Sequence, residues 1–169
     1  MKLIEALKKI KELQEKAGDL RNLVKGHCAR SSLETDKYEG QAKKVSGWIQ
    51  SHSDILKEIL RLRVAIQKTN IETPVTIEFN GKTVTKSIAE WIHRRRDLAN
   101  EELQMWQCLS DRGIQEGYGK GPTGDPIEIK IIRFYDPSER DHKRALYQSE
   151  PRIIDSTLEV TNAITDLIE

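Results

Sequence analysis

Three arginines in a row, Arg94, Arg95 and Arg96, interrupt a stretch that otherwise mixes apolar and charged residues at helical spacing. Arginine suits phosphate and carboxylate because its planar fork donates two parallel hydrogen bonds. Ile88, Trp91, Arg95, Leu98, Glu102, Met105 and Leu109 recur at spacings of three and four, which puts Arg95 in an apolar seam between Trp91 and Leu98. A charge on such a seam is almost never buried without a companion. Arg95 is therefore expected to meet a carboxylate, such as Glu102 in its own row or one on a neighbouring helix, or an anionic ligand.

Consecutive helical residues point about 100° apart, so the three arginines cannot line one site within a single chain. Arg94, Arg96 or Arg133 would instead be contributed by a neighbouring copy. Arg63 and Asn70 flank the end of a second apolar seam, and His93, Arg133 and Arg140 lie near segment ends that can converge there. Trp91, Phe134 and Tyr135 offer flat faces for a base. Taken together, Arg63, Asn70, Trp91, Arg94, Arg95, Arg96 and Arg133 point to non-enzymatic capture of an anionic, nucleotide-like small molecule at subunit junctions, one form being a protein that soaks up a nucleotide immune signal. Two other readings compete. One is a coiled-coil scaffold with no small ligand, in which Arg95 and Glu102 set helix register. The more distant one is a helical ribonuclease, because Arg21 stands six residues before His27, a spacing that lets His act as acid or base while Arg holds phosphate.

Other chemistries lack their residues. Gly119-Lys120-Gly121 has no Ser or Thr after the lysine and follows a predicted helix rather than a strand, so it is not a phosphate-binding loop. The histidines at 27, 52, 93 and 142 show no paired spacing, and no Cys/His cluster reaches zinc spacing. No metal or cofactor is expected. Cys28 and Cys108 fit no disulfide framework.

The elements that must position these residues follow from periodicity. Leu3, Ile10, Ala17 and Val24 recur every seven residues, with Ala6, Leu13 and Leu20 three later, which predicts a helix over 2–25 ended by Gly26. A polar loop spans 27–40. Val45, His52, Ile59 and Ile66 beside Trp48, Ile55, Leu62 and Thr69 predict a second helix over 41–69, widened by Ile49 and Leu56. Two such seams joined by a short loop form an antiparallel hairpin. Residues 73–85 then alternate around Asn80-Gly81, a strong β-hairpin signal because both turn residues must take positive φ. A third helix is predicted over 86–112, a mobile loop with five glycines and two prolines over 113–126, and a strand over 127–134 that could join the hairpin. Asp136-Pro137 starts the last helix, about 138–165, with Pro151 expected to kink or divide it.

The fold class is thus mainly α, with antiparallel long-helix hairpins in a coiled-coil-like bundle and a small antiparallel β-hairpin or three-stranded flap. The expected organisation is one helical domain over 1–169: an N-terminal helical hairpin (1–70), a β-hairpin (71–86), a central helix (87–112), a flexible Gly-rich loop (113–126), and a strand plus C-terminal helix (127–169).

Composition narrows the partners. The 169 residues carry 28 Lys and Arg against 27 Asp and Glu, a near-balance that lacks the footprint of a general nucleic-acid binder. No run of about 18 apolar residues exists, and lysines at 8, 9 and 11 break any signal-peptide core, so a cytoplasmic protein without a membrane partner is expected. The seams exceed what two thin hairpins can bury, which predicts a homo-oligomer.

With this layout the chain resembles the septicolysin-like family of small bacterial and phage proteins. The resemblance rests on Met1-Lys2-Leu3-Ile4-Glu5-Ala6-Leu7, Ile66-Gln67-Lys68-Thr69-Asn70, the Asn80-Gly81 hairpin, Ser87-Ile88-Ala89-Glu90, Arg94-Arg95-Arg96-Asp97-Leu98 and Glu128-Ile129-Lys130. It implies a fold and no established activity. The pore-forming action that the family's name suggests finds no alternating membrane hairpin in this sequence.

Overall fold

The computed structural model describes residues 1–168. The element order is α1 (Leu3–His27), α2 (Gln41–Glu72), β1 (Pro74–Phe79), β2 (Lys82–Ser87), α3 (Ile88–His93), a π-helical turn (Arg94–Leu98), α4 (Ala99–Gln107), β3 (Gly117–Lys120), β4 (Pro126–Ile129) and α5 (Pro137–Ile164). The fold is mainly helical, as the sequence pattern implies, with two small two-stranded sheets. No helix among the described residues is long and apolar enough to cross a membrane.

The chain divides into two compact units. The first holds residues 1–74, 87–89 and the C-terminal residues from Leu158. Its frame is the antiparallel hairpin of α1 and α2. Lys9, early in α1, pairs with Glu58, late in α2, at 2.9 Å. His27, at the end of α1, lies with its ring centroid 5.8 Å from that of Trp48, early in α2. The buried seam is formed by Leu3, Ala6, Ile10 and Ala17 on α1 with Ile59, Leu62, Ala65 and Ile66 on α2. Thr69 is fully buried beside them: its hydroxyl donates to the Ala65 carbonyl at 2.8 Å and accepts the Ile168 amide at 2.9 Å. Gly26 does not end α1. The helix continues to His27, whose ring packs edge-on against Tyr38 at 5.1 Å.

The second unit holds residues 75–86 and 90–157. Val75 and Ile77 alternate inward along β1, and the turn uses positive φ at Asn80 (49°) and Gly81 (73°), as its residue types require. β4 does not join this hairpin. It pairs antiparallel with β3, which lies within the Gly-rich segment 113–126 expected to be a loop. Gly119 leaves room for Ile129 in that pairing, since a Cβ there would lie 2.9 Å from the end of the Ile129 side chain. The predicted helix over 86–112 stops at Gln107, ahead of positive φ at Arg112 and Gly113. Asp136 does cap α5, accepting the Ser138 amide at 2.8 Å. Pro151 lies inside α5 without dividing it.

Candidate functional site

The π-helical turn decides which arginine is buried. The Ala99 amide reaches back to the Arg94 carbonyl, five residues away, so this turn holds more residues than an α-helical one. Trp91, before it, is 1% exposed, and Ala99, after it, is fully buried, eight residues on rather than seven. Leu98, expected on the seam, is 49% exposed. Arg95 is likewise not a buried seam residue: it pairs with Asp155 of α5 at 2.7 Å, both side chains being largely solvent-exposed. Arg94 is the residue that turns inward.

Arg94 makes the two-pronged contact that the chemistry of guanidinium favours. Its Nε and Nη2 donate to the two carboxylate oxygens of Glu150, the second bond at 3.1 Å. Its Nη1 lies 3.5 Å from Glu102. The Arg94 side chain is 21% exposed and that of Glu150 only 7%. The Glu150 hydrogen bond raises the already high pKa of Arg94, against the opposing effect of burial. The guanidinium also sits 5.5 Å from the centroid of the Tyr147 ring, within cation–π range.

Beside this pair is a cavity of about 210 Å³. Phe79, Trp91 and Tyr147 supply aromatic faces, Val84 and Leu146 aliphatic ones, and Lys86, Arg94 and Glu150 the charge. Trp91 is held by a 2.9 Å bond from its indole nitrogen to the Val75 carbonyl, and its ring lies 5.7 Å from Phe79. Each wall has a local cause: the β1 end carries Phe79, β2 carries Val84 and Lys86, and one face of α5 carries Leu146, Tyr147 and Glu150. Such a site combines stacking surfaces with two cations and one carboxylate, so it can hold a flat ring and orient polar groups on its edge.

Of the residues predicted for a site, the structure brings Trp91 and Arg94 together. Arg96 is bonded to neighbouring Asp97 at 3.1 Å and to His93 at 3.3 Å. Arg133 forms a separate clamp, donating to both oxygens of Asp111 at 2.7 Å, and Tyr135 adds a third bond to that carboxylate at 3.2 Å. That contact raises the pKa of Arg133 and lowers that of Asp111. Phe134 points to solvent and is 97% exposed. Arg63 is exposed on α2, and Asn70, further along the same helix, is half-buried with its Oδ1 lacking a hydrogen-bond partner among the described residues. Arg21 lines an apolar cavity with Leu20, Val24 and His52, while His27 packs among Tyr38 and Trp48. No group of three or more potential metal ligands occurs among the described residues.

Glu150 is the residue that sequence reasoning missed. Its signal is visible in retrospect: it follows Tyr147 by three and precedes Ile154 by four, so a carboxylate occupies the apolar row of α5.

No family model matches the chain, and no curated protein matches it. Among solved structures it is similar to a functionally unknown conserved protein from Corynebacterium diphtheriae, with 21% identity, a TM-score of 0.56, and coverage of 99% of this chain and 98% of that one. At that identity the likeness carries the fold alone.

Proposed function

We propose that the protein is a non-enzymatic, self-associating binding protein that captures an anionic, nucleotide-like small molecule, with Trp91 and Arg94 at the centre of the site. The observation that supports this reading is the coincidence of three aromatic side chains, Lys86 and the Arg94–Glu150 pair around one 210 Å³ cavity. A planar ring stacks on the half-buried faces of Phe79 and Tyr147, with Trp91, 1% exposed, packed against Phe79. Its edge groups exchange hydrogen bonds with Glu150 and Arg94. The anionic part is met by Lys86 and Arg94, whose combined charge exceeds that of the single lining carboxylate. The cavity is base-sized, so the ribose and phosphate extend beyond it. Capture is completed by one protomer in this reading, rather than at a junction.

The scaffold reading also has an observation in its favour. Arg94 and Arg95 both bond to α5, and Arg94 additionally to Glu102, so the three arginines carry carboxylates without any ligand.

Thermal melting against a panel of nucleoside mono- and diphosphates separates the two. A ligand at 100 times its dissociation constant adds about 2.7 kcal/mol of stability. Lys86→Glu reverses the charge at the cavity without touching the buried pair. Binding predicts a melting shift in wild type that Lys86→Glu abolishes. No shift from any panel member, or an equal shift in the variant, overturns capture at this site.

A further inference from the structure

α2 is apolar on two faces, and only one of them is covered. Ile59, Leu62, Ala65, Ile66 and Thr69 form its buried side. Ile49 (55% exposed), Leu56 (48%), Leu60 (63%), Val64 (56%) and Ile71 (66%) form a second row that faces solvent. At about 100° per residue these five fall within roughly 80° of one another and run about 33 Å along the helix. Together they offer on the order of 500 Å² of surface, at the top of what a monomer's largest apolar patch presents.

The spacing of this row reads the same in both directions. With Ser53 and Gln67 included, the face runs 49, 53, 56, 60, 64, 67, 71, in steps of four, three, four, four, three and four. The sequence is therefore self-complementary under reversal about Leu60. Two copies of α2 laid antiparallel on a two-fold axis at Leu60 place Ile49 against Ile71, Leu56 against Val64, the polar Ser53 against the polar Gln67, and Leu60 against itself. A two-fold interface needs this property, because the same patch serves both sides. A pair buries about 1,000 Å² from these apolar residues alone, the level at which a specific interface begins. A parallel pairing would set each flanking charge, Asp54, Lys57 and Arg61 among them, beside its own like in the second copy. The antiparallel pairing instead brings Asp54 to the level of Ile66, about 3 Å along the axis from Lys68, and sets Lys57 level with Arg63.

We propose that this face is the docking surface for a second copy of the chain, forming an antiparallel two-fold dimer centred on Leu60. The inference rests on the self-association part of the functional reading and is independent of ligand capture, since none of these residues lines the Arg94 cavity. Sedimentation at about 100 μM is expected to give twice the 19.4 kDa chain mass, and Leu60→Asp to give the single-chain mass with an unchanged helical circular dichroism spectrum, Leu60 being solvent-facing. Orientation is read by cysteine cross-linking in a Cys28→Ser, Cys108→Ser background. Leu60→Cys cross-links to itself on oxidation. Ile49→Cys alone does not, whereas its mixture with Ile71→Cys does. A single-chain mass for wild type, or a dimer that survives Leu60→Asp, overturns the interface. Self-linking of Ile49→Cys overturns the antiparallel arrangement. A ligand-induced melting shift retained in monomeric Leu60→Asp shows that the pocket reading stands or falls separately.

Discussion

Breaking the Arg94–Glu150 pair from either side should have unequal consequences. Arg94→Met leaves the Glu150 carboxylate, 7% exposed, without its guanidinium. Stranding one member of a buried pair typically costs 3–5 kcal/mol, and a carboxylate this enclosed belongs in that range, about 3–4 kcal/mol. Glu150→Gln leaves Arg94 three times as exposed as its lost partner and still 3.5 Å from Glu102, so its cost is smaller, about 1–2 kcal/mol. The double variant Arg94→Met, Glu150→Met removes both charges and should recover most of the loss, because a buried pair roughly breaks even against an apolar one. Urea unfolding followed by circular dichroism reads these effects: at about 1–3 kcal/mol per molar urea, 3 kcal/mol moves the midpoint by one molar or more. Additive single and double variants, meaning no coupling between positions 94 and 150, would refute the reasoning.

Two further outcomes follow from the first unit. Glu58 is held down to about 2 from an ordinary 4.5 by hydrogen bonds from Arg61 and Lys9. Its folded value is depressed, so its contribution is present above pH 4.5 and is lost as pH falls through 2. Because the partners are substantially exposed, the contribution is at most about 1 kcal/mol. Comparing wild type with Glu58→Gln by thermal melting from pH 2 to 7 should show a gap that closes in acid and narrows in high salt; a gap independent of pH contradicts it. Thr69→Val keeps shape but removes the hydroxyl that the Ile168 amide donates to. Hydrogen exchange at Ile168 should accelerate at least tenfold with global stability falling about 1–2 kcal/mol; unchanged protection contradicts the contact.

Much of the scaffold was legible because the residue types carried the geometry. Seven-residue recurrence placed α1 and α2, Asn80-Gly81 placed the first turn, and Asp136-Pro137 placed the start of α5. The candidate site was legible only in part. Trp91 and the arginine cluster were visible, yet the sequence favoured Arg95 over Arg94. A regular period counts residues as if every turn were alike, and one wide turn between Trp91 and Ala99 adds a residue without changing composition. Phe79, Tyr147 and Glu150 come from segments up to 71 residues apart, and no local pattern brings such positions together. β3 was hidden for a different reason: glycine reads as loop, while here its missing side chain makes room for Ile129.

The most direct measurement of ligand capture at Trp91 and Arg94 is a nitrogen–proton correlation spectrum recorded while a nucleoside monophosphate is added. Three indole signals are present, from Trp48, Trp91 and Trp106, and Trp91 is assigned by its loss in Trp91→Phe. Saturable displacement of the Trp91 signal together with the Arg94 side-chain signal, with Trp48 unmoved, is the predicted result. Signals from Trp91 and Arg94 that stay in place at millimolar nucleotide contradict it.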